Sequence, residues 1–149
     1  MRRLCYFVGL VAVAAALGCS PKDSVSDRIA AEALKSKTID LAKLTQFSWD
    51  RAVVFGPYAS SERVCAALPG SWTQCASTYP QGVGEGSYLL VFVREGVVVH
   101  HELHPRANGH FCSNSCMLQL TPQGARFNVQ SSAVGASGPG PNRFSQIAP

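Results

Sequence analysis

Met1-Arg2-Arg3 is a short basic start, and residues 4–16 follow as an unbroken run of apolar and small side chains. A positive n-region, an apolar stretch of this length and a small-residue end are the marks of an export signal. The run is shorter than the ~20 apolar residues a bilayer core requires, so a permanent transmembrane helix is not expected. An exported chain folds where thiols oxidise, and that bears on every cysteine left in it. Cys5 departs with the signal, and Cys65, Cys75, Cys112 and Cys116 lie in the part that must fold. An even number in this setting predicts two disulfides. The local pairing, Cys65–Cys75 with Cys112–Cys116, closes loops that contain Gly or Ser and is the favoured expectation; a pairing that joins the two regions stays open. Neither pair has Cys-x-x-Cys spacing, so the bonds are expected to be structural and not redox-active.

The stretch Ala15-Ala16-Leu17-Gly18-Cys19-Ser20 resembles the lipobox of bacterial lipoproteins. In that family the cysteine after the small residue is lipidated and becomes the mature N-terminus; here Ala16 stands where the motif more often has Leu. The resemblance implies a diacylated Cys19. Two acyl chains meet the two-signal requirement for stable membrane attachment. By the same resemblance, Ser20 in place of Asp implies sorting to the outer membrane of a two-membrane bacterium, facing the periplasm. The implied partner is then the membrane itself, through the N-terminal lipid.

Removing Arg2 and Arg3 from the 13 basic residues leaves 11 against 9 acidic ones, net +2. That is too small a charge to expect a nucleic-acid partner. With 46% hydrophobic and 15% charged residues, the chain has enough apolar material for one packed domain and too little charge for a coiled coil. The expected organisation is a signal over 1–18, a tether over 19–25, an ordered domain over 26–130 and a disordered tail over 131–149, where Gly, Ser, Pro and Ala dominate.

Within the domain, Ser26 is a candidate cap for a helix whose stripe is Ile29, Ala30, Ala33 and Leu34. Residues 49–55 alternate as a strand with Trp49, Arg51, Val53 and Phe55 on one face, and Arg51 on that face suggests an edge. Ser60 caps a second short helix with Val64, Cys65 and Leu68 inward. Residues 69–86 read as a long loop that Cys75 would pin down. Residues 89–93 and 97–103 form the clearest hairpin, turning at Glu95-Gly96. A short strand at 110–112 follows the turn at Asn108-Gly109, and residues 117–121 and 125–130 read as a second hairpin around Pro122-Gln123-Gly124. Helices early and strands late give an α+β fold, a small mainly antiparallel sheet with two short helices and two disulfides. The blocks Trp49-Asp50-Arg51, Phe55-Gly56-Pro57-Tyr58, Leu90-Val91-Phe92-Val93 and Arg106…Gly109-His110-Phe111 resemble a group of uncharacterised small bacterial lipoproteins. That resemblance implies a fold and no activity.

All four histidines fall between residues 100 and 110. Strand alternation puts His100, Glu102 and His104 on one face and His101 on the other. Residues two apart on a strand are ~6.6–6.8 Å apart at the backbone, close enough for two ligands of one ion. A metal site would therefore use Glu102 with His100 or His104, completed by His110, and that donor set suits zinc or copper. Its spacing matches no established zinc motif, and a solvated polar face is the simpler account. No catalytic motif is present: there is no nucleophile elbow, phosphate loop or His-Glu-x-x-His. Tyr58 and Trp72, in loops, are candidate contact residues, whereas Trp49 and Phe55 are expected in the core. The expectation is thus a lipid-anchored, non-catalytic accessory or interaction module without a cofactor, meeting an envelope protein partner. The alternatives are a zinc- or copper-binding lipoprotein and a small envelope hydrolase.

Overall fold

Ser24, and not Ser26, caps the first helix. Its hydroxyl accepts from the Asp27 amide at 3.0 Å, and α1 runs Val25–Ala33. The register moves back because Ser26 is 2% exposed, turned into the protein with Val25 and Ile29, while Leu34 lies outside the helix at 83% exposure. The computed structural model describes residues 24–113, 116–131, 134–135 and 138–148. The expected signal, Cys19 and the tether up to residue 23 lie outside these residues.

After α1 come β1 (Thr38–Asp40), the single-turn α2 (Leu41–Leu44), β2 (Arg51–Phe55), α3 (Ser61–Ala66) and the single-turn α4 (Cys75–Thr78). The strands β3 (Ser87–Arg94), β4 (Val97–Pro105), β5 (Met117–Leu120) and β6 (Arg126–Gln130) follow, then two-residue strands β7 (Val134–Gly135) and β8 (Gly138–Pro139), and β9 (Arg143–Gln146). They form a four-stranded sheet in the order β4-β3-β2-β5, a three-stranded sheet in the order β1-β6-β9, and a small β7-β8 ribbon. Every strand pairing is antiparallel. The α+β fold with a predominance of antiparallel sheet is therefore present, with one-turn helices added to the two expected ones.

The four-stranded sheet is covered on both faces. On one, Ala52, Val54, Tyr88, Leu90 and Phe92 pack against α1, Trp49 and the three-stranded sheet. On the other, Val53, Phe55, Leu89, Val91 and Val93 pack against Val64 of α3, Cys75 and Val83. Double coverage is why β2 and β3 read as continuous apolar runs. It also corrects the alternation assigned to residues 49–55. The strand begins at Arg51, so Trp49 joins the opposite face from Val53 and Phe55. Nor is β2 at an edge, since it lies between β3 and β5.

The hairpin of β3 and β4 turns at Glu95 (φ 50°) and Gly96 (φ 75°), the left-handed pair a two-residue hairpin needs. Residues 117–130 do not form a hairpin. β5 pairs with β2 and β6 pairs with β1, so the Pro122-Gln123-Gly124 turn carries the chain from one sheet to the other. The turn signal was local, whereas partner choice depends on which apolar face each strand must cover. The expected strand at 110–112 shrinks to one bridge, His110 opposite Arg143.

The expected disordered tail is corrected in part. β9 pairs with β6 from Phe127↔Gln146 to Gln130↔Arg143, and Phe144 is 5% exposed in the core. Residues 132, 133, 136, 137 and 149 of that segment lie outside the described residues. Two disulfides join Cys65 to Cys75 and Cys112 to Cys116, with Cα separations of 5.7 and 6.2 Å. The first ties α3 to α4 beneath the second face of the sheet.

Candidate functional site

The polar face of β4 meets the start of α1. A helix begins with backbone N–H groups that have no partner within it. Glu102 supplies partners from a distant strand: one carboxylate oxygen accepts from the Ser26 amide at 2.5 Å, the other from the Val25 amide at 3.2 Å. With the Ser24 hydroxyl on the Asp27 amide and the Ser24 carbonyl on the Arg28 amide, the first turn is fully bonded. The second Glu102 oxygen also accepts from His100 Nε2 at 2.7 Å. Replacing Glu102 with Ala is expected to cost about 2 kcal/mol of stability, because charge-assisted bonds and a helix-dipole contact go together. Urea denaturation of the variant measures it. Loss of under about 0.5 kcal/mol, the scale of an ordinary surface change, would show that the carboxylate does not hold the helix.

His104, one strand pair further on, is fully buried. Its Nε2 lies 3.2 Å from the Gly109 carbonyl, which can only accept, so that nitrogen carries the proton. Nδ1 then accepts from the Ser26 hydroxyl at 2.9 Å, and the same oxygen accepts from Asn108 Nδ2 at 3.0 Å. Burial drives the His104 pKa down to about 4, with the Gly109 carbonyl opposing the shift. The side chain is a neutral imidazole with both nitrogens engaged. Ser26 and His104 have the composition of a nucleophile and its base, but at 2% and 0% exposure neither reaches a substrate.

The strand alternation holds. His100, Glu102 and His104 share one face, and His101 points to the other, where Nδ1 lies 2.8 Å from the Tyr79 hydroxyl. The Trp72 ring lies tilted against His101, with centroids 4.8 Å apart. Burial, and then the neighbouring His100, lower the His101 pKa; burial, and then Glu102, raise that of Tyr79. Trp72, expected as a contact residue, is half-buried in this cluster, whereas Tyr58 is 53% exposed. The four candidate metal ligands do not converge: His100 and Glu102 touch, His104 is enclosed by its own hydrogen bonds, and His110 belongs to a separate cavity. Among the described residues no group of three or more His, Cys, Asp and Glu side chains is placed to hold one ion.

That cavity, of ≈ 300 Å³, is lined by Arg106, His110, Cys112, Ser113 and Arg143, with Phe111 and Phe144 as an apolar wall. Gly109 makes the wall possible. It has φ 137°, and a Cβ there would overlap the Phe144 ring. Burial lowers the His110 pKa, and the Arg106 and Arg143 guanidiniums lower it further. Neither arginine stood out in the sequence as a site residue. Arg143 lies in a segment whose composition reads as tail, and nothing local links it to Arg106.

Compared with known protein families, curated proteins and solved structures, the chain matches none of them.

Proposed function

We propose that this chain is a lipid-anchored protein of the bacterial cell envelope whose folded part is a non-catalytic accessory or interaction module. The observation that carries the reading is the order of basic start, apolar run and Gly18-Cys19-Ser20 ahead of the folded domain. Two disulfides further support a compartment outside the cytosol, since reducing compartments do not maintain such bonds. The non-catalytic part rests on what the titratable side chains of β4 do. Glu102 caps a helix, His104 is sealed and neutral, and His101 is engaged with Tyr79 and Trp72. Each has a structural task that a proton-transfer role would disturb.

Metabolic labelling of the full-length chain with an alkyne fatty acid in a bacterial host tests the anchor. Label is expected on the protein, in the outer-membrane fraction, and is expected to vanish in Cys19→Ala. An unlabelled protein recovered only in the soluble periplasm would overturn the anchor, and a disulfide-free protein in the cytosol would overturn the compartment as well.

A further inference from the structure

The cavity beside β9 has a chemistry that the proposed function does not use. Two cations that are always charged line it, and among the described residues neither is ion-paired. The Arg106 guanidinium makes one long contact, 3.4 Å to the Glu85 carbonyl. The Arg143 side chain makes no hydrogen bond to the described residues.

Their backbones, in contrast, are held firmly. The Arg106 amide donates to the Gly86 carbonyl at 2.9 Å, and the Gly109 amide returns to the Arg106 carbonyl at 3.1 Å. Around Arg143, the His110 amide donates to the Asn142 carbonyl at 2.8 Å and the Phe144 amide to the His110 carbonyl at 2.7 Å. Phe111 and Phe144 back this frame, edge to face at 5.0 Å. The cavity thus has an apolar wall and two arginines of held backbone whose guanidinium donors are largely unused. Such concavities, apolar with a few convergent polar groups, are where small ligands bind, and ≈ 300 Å³ suits a small one.

We infer that this cavity is a binding site for a small dianionic oxyanion, phosphate or a phosphate monoester in class, held by Arg106 and Arg143 with His110 and Ser113 as additional donors. Charge and donor count favour that class over a carboxylate. A monocarboxylate has two oxygens and one charge, and a single guanidinium fork satisfies it. Two cations with no acid in the lining call for two negative charges, and donors on several side chains call for more than two oxygens. Phe111 and Phe144 offer the non-polar part of an ester a surface to lie on. The inference goes beyond the proposed function and is independent of whether Cys19 carries lipid.

The test is calorimetric titration of the full-length chain in detergent with inorganic phosphate, glycerol 3-phosphate and acetate in parallel. Saturable binding of one phosphate per chain is expected, with acetate at least about tenfold weaker. Tighter binding of glycerol 3-phosphate would identify an ester, such as a headgroup fragment, as the source; tighter inorganic phosphate would identify the free anion. Arg106→Gln and Arg143→Gln are each expected to weaken phosphate about tenfold or more, with the corresponding Lys variants in between because the charge stays and the fork is lost. Arg94→Gln, which removes an exposed arginine beside Glu95, is expected to change nothing. Absence of saturable phosphate binding in the unaltered protein would overturn the inference. So would phosphate no tighter than acetate, or unchanged affinity in a folded Arg106→Gln/Arg143→Gln double variant.

Discussion

Phe144→Ala is expected to lower the unfolding free energy by about 3–5 kcal/mol, the range seen when a buried aromatic is truncated. The residue comes from a segment that composition alone would discard, yet it is 5% exposed and packs against two rings. Its ring centroid lies 5.0 Å from that of Phe111 and 6.5 Å from that of His104, and Gly109 gives up its side chain to make room. Little can move in to fill the gap, since Phe111 is held edge to face by Phe127 at 5.3 Å and by Tyr88 at 5.8 Å. Small domains have about 5–15 kcal/mol of stability in all, so the loss is a large share of it. In urea the midpoint should fall with little change in slope. A loss below about 1 kcal/mol, the average for any substitution, would mean that β9 is not part of the cooperative fold.

The second large effect is acid sensitivity through His104. The unfolded imidazole titrates near 6.5, and burial lowers the folded one to about 4. Between those values the unfolded chain takes up a proton that the native one refuses. The stabilisation is therefore fully present above the unfolded pKa and is lost as the pH falls towards 4. Lowering the pH from 7 to 4.5 should remove about 2–3 kcal/mol by this route. His101 and His110 are also lowered, by burial first, and act in the same direction with less weight because they are more exposed. Urea titrations across this range should show the decline in the unaltered protein and a flatter profile in His104→Gln. Equal profiles for the two proteins would show that protonating His104 is not what destabilises the fold.

What could be read in the sequence was local. Alternation from residue 97 to 103 placed His100, Glu102 and His104 on one face, and Glu95-Gly96 marked the turn that β3 and β4 use. Ser60 caps α3 as its position before Glu62 suggests, and both disulfides close the short loops expected of them. What could not be read was long-range. The Glu102 carboxylate meets amides 76 and 77 residues away, a partnership with no imprint on spacing. A turn between two strands says that the chain reverses, not that both strands enter one sheet, and β5 and β6 enter different ones. Composition misled at β9 because Arg143-Phe-Ser-Gln146 is brief and flanked by Gly and Pro. The cavity was hidden for the same reason, as Arg143 belongs to that segment and its partner Arg106 lies far upstream.

The strand order β1-β6-β9 has a consequence for how the protein comes into being. Residues 38–40 are delivered first, their partners at 126–130 much later, and the partners of those, at 143–146, last of all. Until residue 146 has emerged, one rim of β6 lacks its partner, and the rings that Phe144 later covers stay wet. The growing chain can shape its β3–β4 ribbon early, because that reversal is confined to adjacent residues. The three-stranded layer must wait, as long chain separations slow the closing of a sheet. Over that interval an incomplete chain is at its stickiest, with an unpaired rim and bare aromatic surface. A keeper that holds nascent chains open would matter more to this molecule than to a helical one of the same length.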